Sequence, residues 1–249
     1  MADIRTTEIL DDFVRPPEFP LDNGTWAQSD TFRFAPMALF IQGGINHRIS
    51  HPTAAQWPSG ADRRFASSYW LEPFNTADVG YIEAWGRPTG GNASGLAWSI
   101  GLFKDVGGSN QIDGYFFREE ITTGGGRTVI YKYINGTRTP ITGSGPVLFT
   151  GAPAGALFMF KLFADGDMEI WCSTDSGDNW TLLLTANDTT YQGQFYIAFG
   201  VTDNSGSRLA GWGPVGGGVP VPIRWVALNH RSATRHKAAT RALVNPSDV

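Results

Sequence analysis

The stretch DGDMEIWCSTDSGDNWT, Asp165–Thr181, decides how the rest of the chain is read. Asp165, Asp167 and Glu169 occupy alternate positions, and alternate residues of a β-strand point to the same face. They are therefore either a line of carboxylates set up for chemistry or the acidic edge of an ordinary hairpin. Met168, Ile170 and Cys172 take the opposite face. Asp165-Gly166 before them and TDSGDN after them are turn signals. The stretch reads as one strand between two acidic turns, with Met168, Ile170 and Cys172 inward.

The same period-2 pattern recurs on both sides. GYIEAWG, AWSIGLF, GYFFREE, TVIYKYI, LFMFKLF, MEIWCST, WTLLLTA and QFYIAFG all read as strands between about residues 80 and 200. Gly-, Asn- and Asp-rich turns separate them, with tight type I′ hairpins expected at Asp165-Gly166 and Asn135-Gly136. No helical period competes. Regularly spaced strands of this kind make an antiparallel sandwich or barrel. Residues 42–68 read as a long, irregular polar loop with some strand, the length at which loops are functional or lie at interfaces. GPVGGGVPVPI, residues 213–223, reads as a linker leaving the compact domain. SATRHKAATRALV beyond it is a short helix capped by Ser232 or an extended arm.

Composition agrees with an all-β chain. Charged residues are 17%, aromatics 13%, and there are 31 glycines; disordered chains show few aromatics and many charges. No run of apolar residues has the length of a membrane span. The first residues, MADIRTTEILDDF, lack the basic and apolar segments of a signal peptide, so synthesis in a cytoplasm is expected. A single cysteine, Cys172, excludes an internal disulfide framework. The net charge of −4 argues against nucleic acid as partner. It is unevenly spread: over residues 226–249, Arg231, Arg235, Lys237 and Arg241 stand against Asp248 alone, a balance of +3 that leaves −7 on the remainder. Such an arm would be drawn to acidic bodies of neighbouring copies.

Five stretches carry a family resemblance, in order over residues 9–212. ILDDFVRPPEFPLDNGTW, SYWLEPFNTADVGYIEAWG, DGYFFRE, DGDMEIWCSTDSGDNWTLL and TTYQGQFYIAFG are similar to the successive motifs of concanavalin A-like jelly-roll domains, the laminin-G and glucanase superfold. The wording resembles such domains in bacteriophage tail and other virion proteins. The resemblance implies an antiparallel two-sheet jelly-roll sandwich over residues 1–212, with residues 213–249 as linker and basic C-terminal arm. It further implies a non-enzymatic virion component, in tail, tail fibre or head decoration, that contacts other virion subunits or further copies of itself and also host-surface polysaccharide. The alternatives are a stand-alone glycan-binding, lectin-like module and, less favoured, a glucanase-like hydrolase.

The superfold hosts all of these, so side chains must choose. Glucanases that resemble this fold carry Glu-x-Asp-x-(x)-Glu on one strand, and retaining hydrolysis needs two carboxylates about 5–5.5 Å apart. Here Asp165 replaces the first Glu and falls on a turn, leaving Asp167 and Glu169 on the strand. No catalytic residue is assigned. His47 and His51 have a helical metal-pair spacing spoiled by Pro52. Asp11-Asp12 is a place where related lectins hold cations, but a strand-initiating acidic pair explains it, and no cofactor is assigned. Parity sends Ile82 and Ala84 to the core and Tyr81, Glu83 and Trp85 outward. Arg118, Lys132, Lys161, Trp171 and Tyr196 follow outward by the same rule. Trp85, Trp171, Tyr196, Arg118 and Glu83 are thus the candidate glycan face, and Arg231, Arg235, Lys237 and Arg241 the candidate partner contacts.

Overall fold

In the strands whose side chains are described, most large apolar residues are buried, and in β-strands of alternating sequence they form one row facing the core. The computed structural model describes residues 5, 7–12, 24–28, 39–42, 46–49, 65–89, 96–105, 113–122, 125–135, 137–142, 156–203 and 211–220. In chain order the strands are β1 (Ile9–Asp11), β2 (Trp26–Gln28), β3 (Leu39–Gln42), β4 (Asn46–Ile49), β5 (Phe65–Trp70), β6 (Phe74–Asn75), β7 (Tyr81–Thr89) and β8 (Leu96–Asp105). They continue as β9 (Asp113–Thr122), β10 (Gly125–Ile134), β11 (Thr137–Pro140), β12 (Leu157–Phe163), β13 (Asp167–Ser173), β14 (Thr181–Asn187), β15 (Gln194–Asp203) and β16 (Gly211–Gly218). One helical turn, α1 (Thr76–Val79), is capped by the Asn75 side chain and closed by Gly80 at φ 93°.

The strands form two antiparallel sheets. The first runs β14-β13-β12-β7-β16-β4-β3, with β1 also on β16; the second runs β11-β10-β9-β8-β15-β5-β2, with β6 also on β15. This is the two-sheet jelly-roll sandwich expected from the sequence. Ile82, Phe158, Phe160, Met168, Ile170 and Cys172 of the first sheet meet Trp98, Ile100, Leu102, Tyr115, Phe117, Ile197 and Phe199 of the second in one core. The inward parity of Met168, Ile170 and Cys172 therefore holds. Two indoles tie the sheets together. Trp98 Nε1 donates to the carbonyls of Thr89 and Gly211, both at 3.0 Å, and Trp212 Nε1 donates to Gly200 O at 2.9 Å.

Two local expectations need correcting. The Asp165-Gly166 hairpin is not type I′, which requires positive φ at both central residues. Only Gly166 has it, at φ 88°. Gly166 N donates to Phe163 O, and β12 pairs Leu162 with Met168. This is a three-residue loop closed by a left-handed glycine. Glycine is needed there because a Cβ would lie 2.6 Å from Asp188 O.

The second correction is larger. Residues 213–218, expected as linker, are strand, and β16 is a central strand of the first sheet, between β7 and β4. The compact unit extends to Val219. The glycines are spaces for rings. A Cβ on Gly216 would lie 2.3 Å from the Trp85 ring and 2.4 Å from Glu8 O. Across the pair, a Cβ on Gly86 would lie 2.8 Å from the Trp212 ring. Composition reads such a run as flexible, whereas here each missing side chain admits a neighbour's. Residues 221–249, with Arg231, Arg235, Lys237 and Arg241, lie outside the described residues.

This account of the glycines is testable by substitution. Gly216→Ala is expected to destabilise the domain by roughly 1–3 kcal/mol in urea unfolding, the usual range for overpacking. Gly213→Ala, whose Cβ would meet Arg87 at an ordinary 3.6 Å, should stay within about 0.5 kcal/mol of wild type. Equal and negligible effects at both positions would return the segment to a linker.

Candidate functional site

Pairing in the first sheet sets its outer side chains in rows. Met159 of β12 is opposite both Trp85 of β7 and Trp171 of β13, and Trp171 is opposite Leu182 of β14. Lys161 is opposite both Glu83 and Glu169, and Glu169 is opposite Thr185. One row is therefore Trp85–Met159–Trp171–Leu182 and the next is Glu83–Lys161–Glu169–Thr185. Trp85, Leu157, Met159 and Trp180 form a buried cluster separate from the main core, with Trp171 packed against it.

The rows are joined by polar contacts. Trp171 Nε1 donates to Glu169 Oε2 at 2.7 Å. The Lys161 ammonium lies 3.5 Å from Glu83 Oε2 and 5.1 Å from the centre of the Tyr81 ring. Trp171, Glu169 and Tyr81 are half-buried, and Leu182 is 43% exposed. This end of the face is open, rigid and mixed in character.

The other end is covered. Trp85 is 3% exposed and Glu83 is fully buried. They point to the outer side as parity requires, but the N-terminal residues lie on them. Thr7 donates to Glu83 Oε1 through its backbone N at 3.2 Å and its Oγ1 at 2.8 Å, and Trp85 Nε1 donates to Thr7 Oγ1 at 3.1 Å. The Arg5 guanidinium stands 4.5 Å over the Trp85 ring. Sequence alternation gives a side chain's direction, not what covers it.

The five candidate glycan residues do not share a face. Glu83, Trp85 and Trp171 are on the first sheet, whereas Arg118 (β9) and Tyr196 (β15) are on the second. Arg118 is buried at 6% and lies 3.5 Å from Glu120, which also pairs with Arg127. Tyr196 is half-buried, edge-on to Tyr69 at 5.9 Å. Around them Phe103, Phe116, Val129, Tyr131 and Tyr133 form a packed cluster. The outer side of the second sheet is thus a covered surface, and a single platform of all five residues is excluded.

The three alternating carboxylates of the opening stretch are each engaged. Asp165 Oδ1 accepts from Asp167 N, Asp167 Oδ1 accepts from Asn187 Nδ2, and Glu169 holds Trp171. In the following turn Ser173 Oγ accepts from Asp175 N and Gly177 N, and Trp180 Nε1 donates to Gly177 O. The Asn179 side chain and backbone, with Ser173, hydrogen-bond Asp175 and hold its carboxyl down at about 2. This is a self-supporting turn that seats Trp180 beneath the open face.

Two further groups escaped the sequence reading. At one rim, Asp188 takes Lys132, Thr190 N and the Tyr115 hydroxyl. Burial pushes its carboxyl up, but these partners outweigh it and leave it at about 2. Inside the sandwich, Glu119 is fully buried, with Thr128 Oγ1 donating to Oε2 and no partner on Oε1. Burial pushes it up to about 7 against that single hydrogen bond. Burial, then the Glu119 charge, raises the facing Cys172 thiol to about 12. Nothing in the polar text EEI distinguishes core-facing Glu119 from outward-facing Glu120 except its parity with Tyr115 and Phe117. Among the described residues no three His, Cys, Asp or Glu side chains converge as a metal site. Asp11 accepts from Trp26 Nε1 at 2.8 Å, which gives that acidic residue a structural task. His47 lies in β4, and His51 lies outside the described residues.

Comparison with known proteins extends the fold assignment. No protein-family model and no curated protein matches the sequence. Solved structures do match. The metal-free Emp46p carbohydrate recognition domain aligns at TM-score 0.57 and 11% identity, over 86% of this chain and 97% of that one. The Ca2+-bound VIP36 exoplasmic/lumenal domain gives 0.55 and 10% over 80% and 85%. The legume lectin-like domain from Entamoeba histolytica gives 0.53 and 12% over 80% and 91%. The fold is that of legume-lectin-like sandwiches. At these identities the likeness is one of architecture.

Glu119 makes a pH prediction. Its folded carboxyl keeps a proton that the unfolded one, titrating near 4.5, has lost. Stability therefore falls as pH rises from about 4.5 to about 7 and then levels, by on the order of 3 kcal/mol. Asp188 has the opposite sign, but its contribution is lost only as pH falls below about 4 toward 2. Glu119→Gln should remove the fall from the difference between variant and wild-type urea midpoints. An unchanged pH profile in that variant would show the carboxyl to be hydrated.

Proposed function

We propose that this domain is a non-enzymatic glycan-binding module whose contact surface is the open end of the first sheet's outer face, around Trp171. The observation that carries the reading is the half-buried Trp171 ring, fixed by Glu169 and set beside Lys161 on the adjoining strand. An aromatic face with a few convergent polar groups is the usual composition of a small-ligand site. The ring offers a flat apolar surface to the C–H face of a sugar, and Glu169 offers an acceptor to its hydroxyls. The sheet holds both before any ligand arrives, so little ordering entropy opposes binding. The fold likeness to a carbohydrate recognition domain supports the same reading.

Hydrolysis fits less well. Among the described residues the one acid raised toward neutrality, Glu119, faces the sealed core, and Asp165, Asp167 and Glu169 are each in a structural hydrogen bond. A place in a bacteriophage virion, with the C-terminal residues as attachment arm and host polysaccharide as ligand, is compatible with glycan binding. That placement rests on the resemblance of the motifs alone.

Calorimetric titration with a panel of oligosaccharides, mannose-containing ones included, tests the proposal. Wild type is expected to bind at least one, and Trp171→Ala to weaken that binding about tenfold or more, or ~1.4 kcal/mol. Its melting temperature should move little, because Trp171 is only half-buried. A panel without binding, or a Trp171→Ala protein that binds like wild type, would sink the reading.

A further inference from the structure

The covered end of the same face has a polar geometry that goes beyond packing. The Thr7 hydroxyl sits between an indole N–H and a carboxylate, accepting from Trp85 and donating to Glu83. A hydroxyl held between one donor and one acceptor beside an aromatic ring is how a sugar hydroxyl is held, because it alone can do both. Lys161 adds a second donor on the far oxygen of Glu83. The Trp85 ring has a flat floor, since Gly216 below it lacks a side chain, and its upper face carries the Arg5 guanidinium.

We infer that Glu83, Trp85 and Lys161 form a second saccharide-hydroxyl subsite on the same outer face as Trp171, and that Arg5 and Thr7 occupy it as an internal stand-in for ligand. The inference rests on the glycan-binding reading of the Trp171 face. The row Trp85–Met159–Trp171 crosses three adjacent strands, so the two indoles are separated by roughly two strand spacings, about 9–10 Å. That is far enough to engage successive sugars of a chain rather than one ring.

The segment can leave without unfolding the sheet. Beyond it, β1 is fixed on β16 by the pairs Ile9–Gly216 and Asp11–Val215, and Asp11 also holds Trp26. Glu8 O accepts from Gly217 N at 3.2 Å and marks the last fixed point. The contacts of Arg5 and Thr7 on this face include two hydrogen bonds to Glu83, one from Trp85 and one ring contact, groups that a long saccharide would replace in kind. A covered subsite reduces apparent affinity by the fraction of molecules in which it is open. Short ligands, which need only Trp171, escape that reduction.

The full chain and the double variant Arg5→Ala/Thr7→Val separate the possibilities. Titrated with mannose, the two should bind alike. Titrated with the oligosaccharide Man3GlcNAc, the variant should bind about tenfold tighter. Adding Glu83→Gln should cancel the gain. Equal affinity of wild type and variant for the oligosaccharide would overturn the inference while leaving the Trp171 site standing. Amide exchange judges the segment even if no sugar binds. Thr7 N should exchange through local opening about a hundredfold faster than the amides of β12 and β13. Exchange of Thr7 as slow as theirs would show that the segment opens only with global unfolding, and the inference would fail whatever the titrations gave.

Discussion

Everything in the first sheet depends on a fit between rings and absent side chains along one strand. Strand β16 lies between β7 and β4 and also carries β1, so it must pair on both edges while large residues press on it. The Trp85 ring takes the space over Gly216 and the Trp212 ring takes the space over Gly86, on the partner strand. A methyl group at either glycine would lie inside van der Waals contact, and packed interiors transmit such a displacement rather than absorb it. The same strand joins the two sheets, since Trp98 donates to Gly211 O and Trp212 donates across to Gly200 O. Arg5 and Thr7 reach Glu83 and Trp85 because β1, just beyond them, pairs with this strand.

That dependence explains which parts of the architecture were legible. Strand β13 was, because Met168, Ile170 and Cys172 alternate with Asp167, Glu169 and Trp171 between two turn signals, and each level of evidence agrees. Residues 213–218 were not. Glycine is the residue of turns and linkers by local propensity, and its use as a receptor for distant rings shows only when Trp85 and Trp212 are in place. The three-residue turn at Gly166 is a milder instance: Asp-Gly marked a hairpin, but its type was set by the approach of Asp188 O.

The candidate site was legible in direction and illegible in membership. Parity sent Glu83, Trp85, Arg118, Trp171 and Tyr196 outward correctly, since each lies on the side of its sheet away from the main core. It carries no information on which sheet a strand joins, and these five divide between two. Nor does it distinguish outward from exposed. Trp85 is covered by Arg5 and Thr7, nearly eighty residues distant in sequence, a contact that no local pattern encodes. Glu119 is the converse case, since a carboxylate within the charged run REE passes for surface when it is in fact core.

Where the acids lie also bears on the proposal that the domain binds a glycan rather than cleaving one. An acid–base pair needs two carboxyls whose environments push their proton affinities apart within reach of one bond. Here the perturbed acid and the accessible acids are on opposite sides of a strand layer. Glu119 points into a core sealed by Tyr115, Phe117 and Cys172, while Glu169 and Asp167 point outward into hydrogen bonds that fix them as acceptors. An acceptor held in one orientation is well suited to reading a hydroxyl. In the proposed reading the aromatic row would supply the non-directional part of binding and the acidic–basic row the directional part. Both rows are set by the register of β7, β12 and β13, so in that reading a change in sugar specificity would come from substituting within the rows and not from moving the strands.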